Sequence, residues 1–189
     1  MPGRLEARAD ANAALRVVIQ RLVATDAGEG DLAAVTSELR SIADRLEPHQ
    51  LAHRYEGGDA ADTGWLTHPM TGAGNALANP LTVETTPDGR AVVTGTYTHA
   101  YEGPAGRLHG GYVAMGMDLV LGRAVGAAGF TAFTGILTVR YRKPTPLFVP
   151  VRYEGEVLTT EGRKITARAV LRAEGEVTAE ADGIWITAS

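Results

Sequence analysis

The sequence predicts an α+β fold with an antiparallel sheet, on three observations. Two helical periodicities come first, a glycine-rich helical stretch follows a hairpin, and long strand-like runs then succeed one another with no helix between them. Strands that do not alternate with helices disfavour a doubly wound dinucleotide fold. With 189 residues, 44% hydrophobic and 21% charged, the chain suits one domain with a small appendage and is not disordered as a whole.

Leu15, Val18, Ile19, Leu22 and Val23 follow the spacing that lines one helix face. After Gly28-Glu29-Gly30, Asp31 reads as an N-cap, and Leu32, Val35, Leu39, Ile42 and Leu46 continue a second helix to about Pro48. From Arg54 to Pro80 the chain is rich in Gly, Asp, Thr, Asn and Pro, which reads as an ordered connector with Trp65 and Leu66 as its main apolar points. Leu81 to Thr86 and Ala91 to Tyr101 form a hairpin about Pro87-Asp88-Gly89-Arg90. His109 to Ala128 reads as a helix whose glycines, 110, 111, 116, 122 and 126, call for close backbone approach to a curved sheet. Strands follow over Thr131 to Lys143, Val149 to Thr160 and Arg163 to Thr187, the last split near Gly175-Glu176.

Composition removes several function classes. A formal charge of −4, from 18 basic and 22 acidic residues, gives no general basic surface for nucleic acid. Zero cysteines exclude disulfides, thiolate nucleophiles and sulfur-bound zinc, and fit a reducing cytoplasm. No run approaches a membrane span, and the charged N-terminus lacks an apolar export core. The serines, 37, 41 and 189, sit in no G-x-S-x-G. No phosphate loop is present, and Leu77 follows Gly72-Ala73-Gly74 where a third glycine is needed. His49 and His53 have helical zinc spacing, but Gln50 stands where the general-base Glu belongs, and Pro48 and Gly57-Gly58 limit the helix; they read as surface histidines, and no metal site is expected.

The informative stretch is Tyr101 to Arg123. His109-Gly110-Gly111 opens the helix, and Asp118 is the one charged residue between Gly110 and Gly122. Unpaired N–H groups at a helix start can hold an oxygen that gains negative charge in acyl transfer. A carboxylate in an apolar helix face can activate water or attack an acyl carbon. Nine residues put His109 and Asp118 about 13 Å apart along the axis and on opposite sides, so cooperation at one atom needs a two-fold dimer. A capping His with glycines, and an acid satisfied by neighbouring amides, is the equally weighted alternative.

This segment resembles the hot-dog fold thioesterase superfamily, specifically the PaaI-like (phenylacetate-pathway) acyl-CoA thioesterases, in His109, Gly110, Gly111 and Asp118. Asn75 to Leu81 is similar to that family's N-P-L entry to the sheet, and Val139 to Pro144 to its strand ending in Tyr-x-x-Pro. The likeness runs from about Thr71 to Ile186. It implies a hot-dog domain over 54–189, an antiparallel sheet of five or six strands round a central helix, with 1–53 as a helical extension. It implies an acyl-CoA thioesterase with Asp118 as general base or nucleophile, the Gly110 N–H as oxyanion donor, His109 orienting the thioester and Thr134 positioning water. Where some relatives place Asn six residues before the His, this chain has Gly103. Coenzyme A enters as part of the substrate, with no separate cofactor. Gly111, Arg142, Lys143, Arg163 and Lys164 are the expected substrate contacts, the basic pairs meeting the nucleotide phosphates. The expected assembly is a homodimer or a dimer of dimers, with active sites at the subunit interface, and no nucleic-acid or membrane partner.

Two other readings are weighed. Hydratases of this fold resemble D-x-x-x-x-H, whereas Arg123 stands five residues after Asp118, which sets that reading aside. A non-catalytic acyl-CoA binding or scaffolding module is the alternative from another class; Asp118 speaks for catalysis, because an acid in an apolar helix is costly without a role or partner. Tyr112, Met115, Phe130, Phe133 and Trp185 are candidates for the acyl pocket, and each fits a core equally well.

Overall fold

The computed structural model describes residues 2–54, 56, 65–79 and 81–187. Gly57, Gly58, Pro80 and Ser189, named above, lie outside the described residues. Two helices, α1 (Pro2–Val23) and α2 (Glu29–Leu46), precede β1 (Thr82–Thr85) and β2 (Ala91–Thr96), then α3 (Gly110–Ala127), then β3 (Ala132–Tyr141), β4 (Pro150–Glu161), β5 (Lys164–Ala173) and β6 (Glu176–Thr187). The six strands make one antiparallel sheet in the order β1-β2-β4-β5-β6-β3, which is the α+β arrangement expected, with α3 packed across its inner face.

β5 shows why the sheet holds α3 closely. Its alternate residues Ile165, Ala167, Ala169, Leu171 and Ala173 are buried, as are Ala179, Ala181 and Trp185 on β6. Small side chains facing Met117, Val120, Leu121 and Ala124 let the helix settle near the strands. Two glycines set the closest approach. A Cβ on Gly116 would stand 2.4 Å from Cζ of Tyr153, and one on Gly155 would stand 3.1 Å from the Val120 carbonyl oxygen. Gly122 and Gly126 have nothing within 4 Å of a built Cβ, so close packing accounts for only part of the glycine content of α3.

Two local expectations are corrected. The N-cap of α2 is Gly28 with no side-chain cap bond, and Asp31 sits inside the first turn, where its charge still favours the helix dipole. β2 ends at Thr96 instead of continuing to Tyr101, because His99–Tyr101 form a 3-10 turn that brings the Tyr101 ring edge-on to Tyr97 at 5.4 Å and to Tyr112 at 4.9 Å. Aromatic burial outweighs strand propensity there. The pair at 49 and 53 is not on one helix: His49 ends a 3-10 turn, His53 lies beyond it, and no metal-binding cluster occurs among the described residues.

The N-terminal helices touch the rest of the chain sparingly. Arg16, 9% exposed, donates from Nη1 to the carbonyls of Ala73 at 3.2 Å and Asn75 at 3.0 Å, pinning α1 to the connector. α2 has no buried residue. No described helix is long and apolar enough to cross a membrane.

Candidate active site

The loop before α3 is shaped by a tight closure. His109 N–H donates to the Tyr101 carbonyl at 3.0 Å, and Gly103 N–H to the Arg107 carbonyl at 2.9 Å. A Cβ on Gly103 would stand 2.9 Å from Cα of His109, so this loop has no room for a side chain at 103, whatever relatives carry there. His109 is the N-cap of α3, its Nδ1 accepting the Gly111 N–H at 3.0 Å. That bond places the proton of the neutral ring on Nε2, which is left as a donor on an exposed side chain. Among the described residues, Gly110 N–H has no acceptor within hydrogen-bond reach.

Asp118, half-buried on α3, accepts a hydrogen bond at Oδ1 from the Thr134 hydroxyl at 2.8 Å. The register of β3 explains how. A shift between Thr134 and Ile136 against β6 inserts Gly135 as a bulge. One extra residue reverses the alternation of faces, so Thr134 before the bulge and Leu137, Val139 and Tyr141 after it all turn toward α3. Tyr141 then reaches the other end of the helix, its hydroxyl donating to the Gly110 carbonyl at 2.9 Å while its ring lies against Gly110. Tyr141 enters the sequence reading only as part of a strand motif; its role as a clamp on the helix start depends on the bulge and is visible only in three dimensions. Because α3 runs unbroken from Gly110 to Ala127, Gly110 and Asp118 of one chain stay at separate levels of the helix.

Behind Asp118 a groove of about 760 Å³ runs along α3, between the helix and the connector. Trp65, His68 and Met70 form one wall, and Met115, Asp118, Gly122 and Arg123 the other. Here the two glycines without a packing contact find a place: they keep the helix side of the groove open. Of the residues proposed for an acyl pocket, Met115 lines this groove, Trp185 and Tyr112 belong to the core or its edge, and Phe130 and Phe133 are exposed.

Burial holds the His68 imidazole below its ordinary value of 6.5, with Arg123 and Arg54 adding their repulsion. Its Nδ1 accepts the Met70 N–H at 3.2 Å, as a neutral ring can. Burial also raises the Tyr97 and Tyr101 phenols to about 12, which keeps that cluster uncharged behind the helix start.

The expected phosphate contacts fall at two distant places. Arg142 and Lys143 follow β3 and pair with Glu180 and Glu176, while Arg163 donates to the Thr187 carbonyl and Lys164 opens β5. Tyr141 opposes Ala179 and Lys164 opposes Ile186 on β6; seven strand residues separate these positions by roughly 24 Å at ~3.4 Å per residue. One chain therefore does not bring both basic pairs to one phosphate group.

A family model described as thioesterase superfamily matches residues 105–180, the span from the helix-start loop to β6. The crystal structure of protein RHA08564, a thioesterase superfamily protein, is similar at 37% identity and a TM-score of 0.84, covering 95% of this chain and 94% of that one. Acyl-coenzyme A thioesterase THEM4 of Bos taurus is 34% identical over 87 residues, 45% of this chain and 35% of that protein, so the match spans about a third of the curated relative's length. The fold, without further implication, is shared with a mutant of the phenylacetic acid degradation protein PaaI from Thermus thermophilus, at 24% identity and a TM-score of 0.53 over 57% of this chain and 93% of that one.

Proposed function

Since the chain belongs to the thioesterase superfamily, we propose that it hydrolyses the thioester bond of an acyl-coenzyme A, with Asp118 as the general base or nucleophile. The observation that carries this reading is Asp118 itself: a carboxylate on an otherwise apolar stretch of helix, oriented by the Thr134 hydroxyl and opening onto a groove large enough for an acyl group. The coenzyme A moiety is taken from the name of the bovine relative.

In the base form of the reaction, water adds to the thioester carbonyl carbon as its proton passes to the Asp118 carboxylate. The carbonyl oxygen becomes an oxyanion held by the Gly110 N–H, with the Nε2–H of His109 as a second donor. Collapse breaks the C–S bond, the coenzyme A thiolate leaves, and the proton on Asp118 returns to it. In the nucleophile form the carboxylate adds first, the C–S bond breaks as the coenzyme A thiolate leaves and takes up a proton, and water then hydrolyses the acyl anhydride to the acid and the free Asp118 carboxylate. The products are the same carboxylic acid and thiol.

The separation along α3 supports a site shared between two copies of the chain, Gly110 and His109 from one and Asp118 from the other. Support comes from β3. It ends the sheet, its outer edge is unpaired among the described residues, and it exposes Phe133 at 70% and Ile136 at 56%, a strand edge that a second copy can cover.

Coenzyme A release from phenylacetyl-, benzoyl- and short- to long-chain acyl-CoAs, read with a thiol dye, tests the reading, and a cysteine-free protein adds no thiol background. Turnover of at least one of these thioesters is expected. Binding without turnover across the whole panel would replace the enzyme by a non-catalytic acyl-CoA binding module.

A further inference from the structure

The groove behind Asp118 holds one cation without a counter-ion among the described residues. Arg140, Arg142, Arg152, Arg168 and Arg172 each have a carboxylate within 4 Å, all on the exposed sheet surface. Arg123 is half-buried, and among the described residues it has no carboxylate partner and its enclosed Nε has no hydrogen-bond acceptor. Its guanidinium lies 3.5 Å from the centre of the Trp65 ring, which in turn stacks on His68 at 5.8 Å. An aromatic face holds a guanidinium in place but leaves its in-plane N–H groups unsatisfied. Burial, and after it the nearby Arg123 and Arg54 charges, lower the His68 imidazole below its ordinary value. A partly desolvated cation with unused donors is costly unless something arrives to accept them.

Arg123 follows Asp118 by five residues, about 7.5 Å along the helix, and both line the one groove, whose other walls are largely apolar. The groove thus has a carboxylate where the thioester is to be attacked, largely apolar walls, and a forked donor elsewhere on its lining. We infer that this groove selects acyl groups carrying a second carboxylate at their far end, which the Arg123 guanidinium receives in a bidentate pair. The inference rests on the thioesterase reading above and deepens it by naming the class of acyl group.

The test compares adipoyl-CoA with hexanoyl-CoA, equal in carbon number and different in the terminal carboxylate, in the full chain and in Arg123→Met and Arg123→Lys. The Met variant keeps an apolar stem against Trp65. Wild type should favour adipoyl-CoA in kcat/KM by about 10- to 100-fold, the range of a charge-assisted hydrogen-bonded pair. Arg123→Met should bring that ratio near one, and Arg123→Lys should keep part of it. A ratio of one or below in wild type, with hexanoyl-CoA hydrolysed, overturns the inference and leaves the thioesterase reading intact. If neither ester is hydrolysed, the wider acyl-CoA panel decides the thioesterase reading, and calorimetric binding of the two esters decides the inference, since equal affinities overturn it and a preference for adipoyl-CoA lost in Arg123→Met upholds it. Thermal melting of each variant confirms that the comparison is made between folded proteins.

Discussion

Gly116→Ala is the substitution whose consequence follows most directly from the packing of α3 on the sheet. In an exposed helix the change is favourable by about 0.8–1 kcal/mol. At 116 the new methyl group would lie 2.4 Å from Cζ, 2.5 Å from Cε1 and 2.6 Å from the hydroxyl of Tyr153. An ordinary contact requires the ring to withdraw by about 1 Å. Tyr153 is 0% exposed, and its hydroxyl lies 3.1 Å from that of Tyr97, itself 1% exposed. The ring therefore has nowhere to go without separating the two phenols. Overpacking costs roughly 1–3 kcal/mol, and leaving buried hydroxyls unpaired a further ~1–3 kcal/mol, so the net effect after the helix gain is a loss of about 1–5 kcal/mol. For a chain of this size that is a fall in Tm of roughly 2–20 °C. The assay is thermal unfolding followed by circular dichroism, with Gly122→Ala as the control, since nothing lies within 4 Å of its built Cβ. Gly122→Ala should melt at or slightly above the parent temperature. A Gly116→Ala protein that melts no lower than the parent would refute the argument from close approach.

Other outcomes follow from single contacts. Tyr141→Phe keeps the ring against Gly110 but removes the 2.9 Å bond to its carbonyl, so steady-state kinetics should show kcat reduced by about 2- to 10-fold with KM little changed; an unchanged kcat removes Tyr141 as a positioning residue. Glu174 holds φ 51° beside Gly175 at φ 80°, the two-residue turn that favours Asn-Gly. Glu174→Asn should therefore raise stability by about 0.5–1 kcal/mol in urea unfolding, and a loss would contradict this reading of the turn. For His68 the folded state takes up a proton less readily than the unfolded chain. Its contribution to stability is present above the ordinary value of 6.5 and is lost as pH falls through the lower folded value. Thermal melts in acid should show a smaller decline for His68→Gln than for wild type.

The legible parts of this fold are those written in local pattern. The apolar run broken by Asp118 marks α3, and Pro87-Asp88-Gly89-Arg90 marks the first hairpin, because both signals need only neighbouring residues. The end of β2 was not legible, since Tyr97, Tyr101 and Tyr112 meet across the fold and no local rule pairs them. Asp118 and Thr134 stand out in the sequence only one at a time; the bulge at Gly135, which turns Thr134 toward the acid, reads in sequence as one more strand glycine. The groove escaped for the same reason. Trp65 and His68 belong to a connector without periodicity, and the one available sign was a lone arginine interrupting an apolar helix at 123. Glycines inside α3 have two causes where the sequence suggests one: Gly116 admits the sheet, and Gly122 and Gly126 leave a cavity open.

The most direct test of the central claim is Asp118→Asn, measured at once for turnover and for binding of whichever acyl-CoA the wild-type protein hydrolyses fastest. Asparagine keeps the shape and can still accept the Thr134 bond, but it neither takes a proton from water nor attacks an acyl carbon. Turnover should fall by at least about 100-fold while calorimetric affinity for the acyl-CoA stays close to that of wild type. Turnover equal to wild type in the Asn protein would contradict the account, and the chemistry would then have to be sought elsewhere than at this carboxylate.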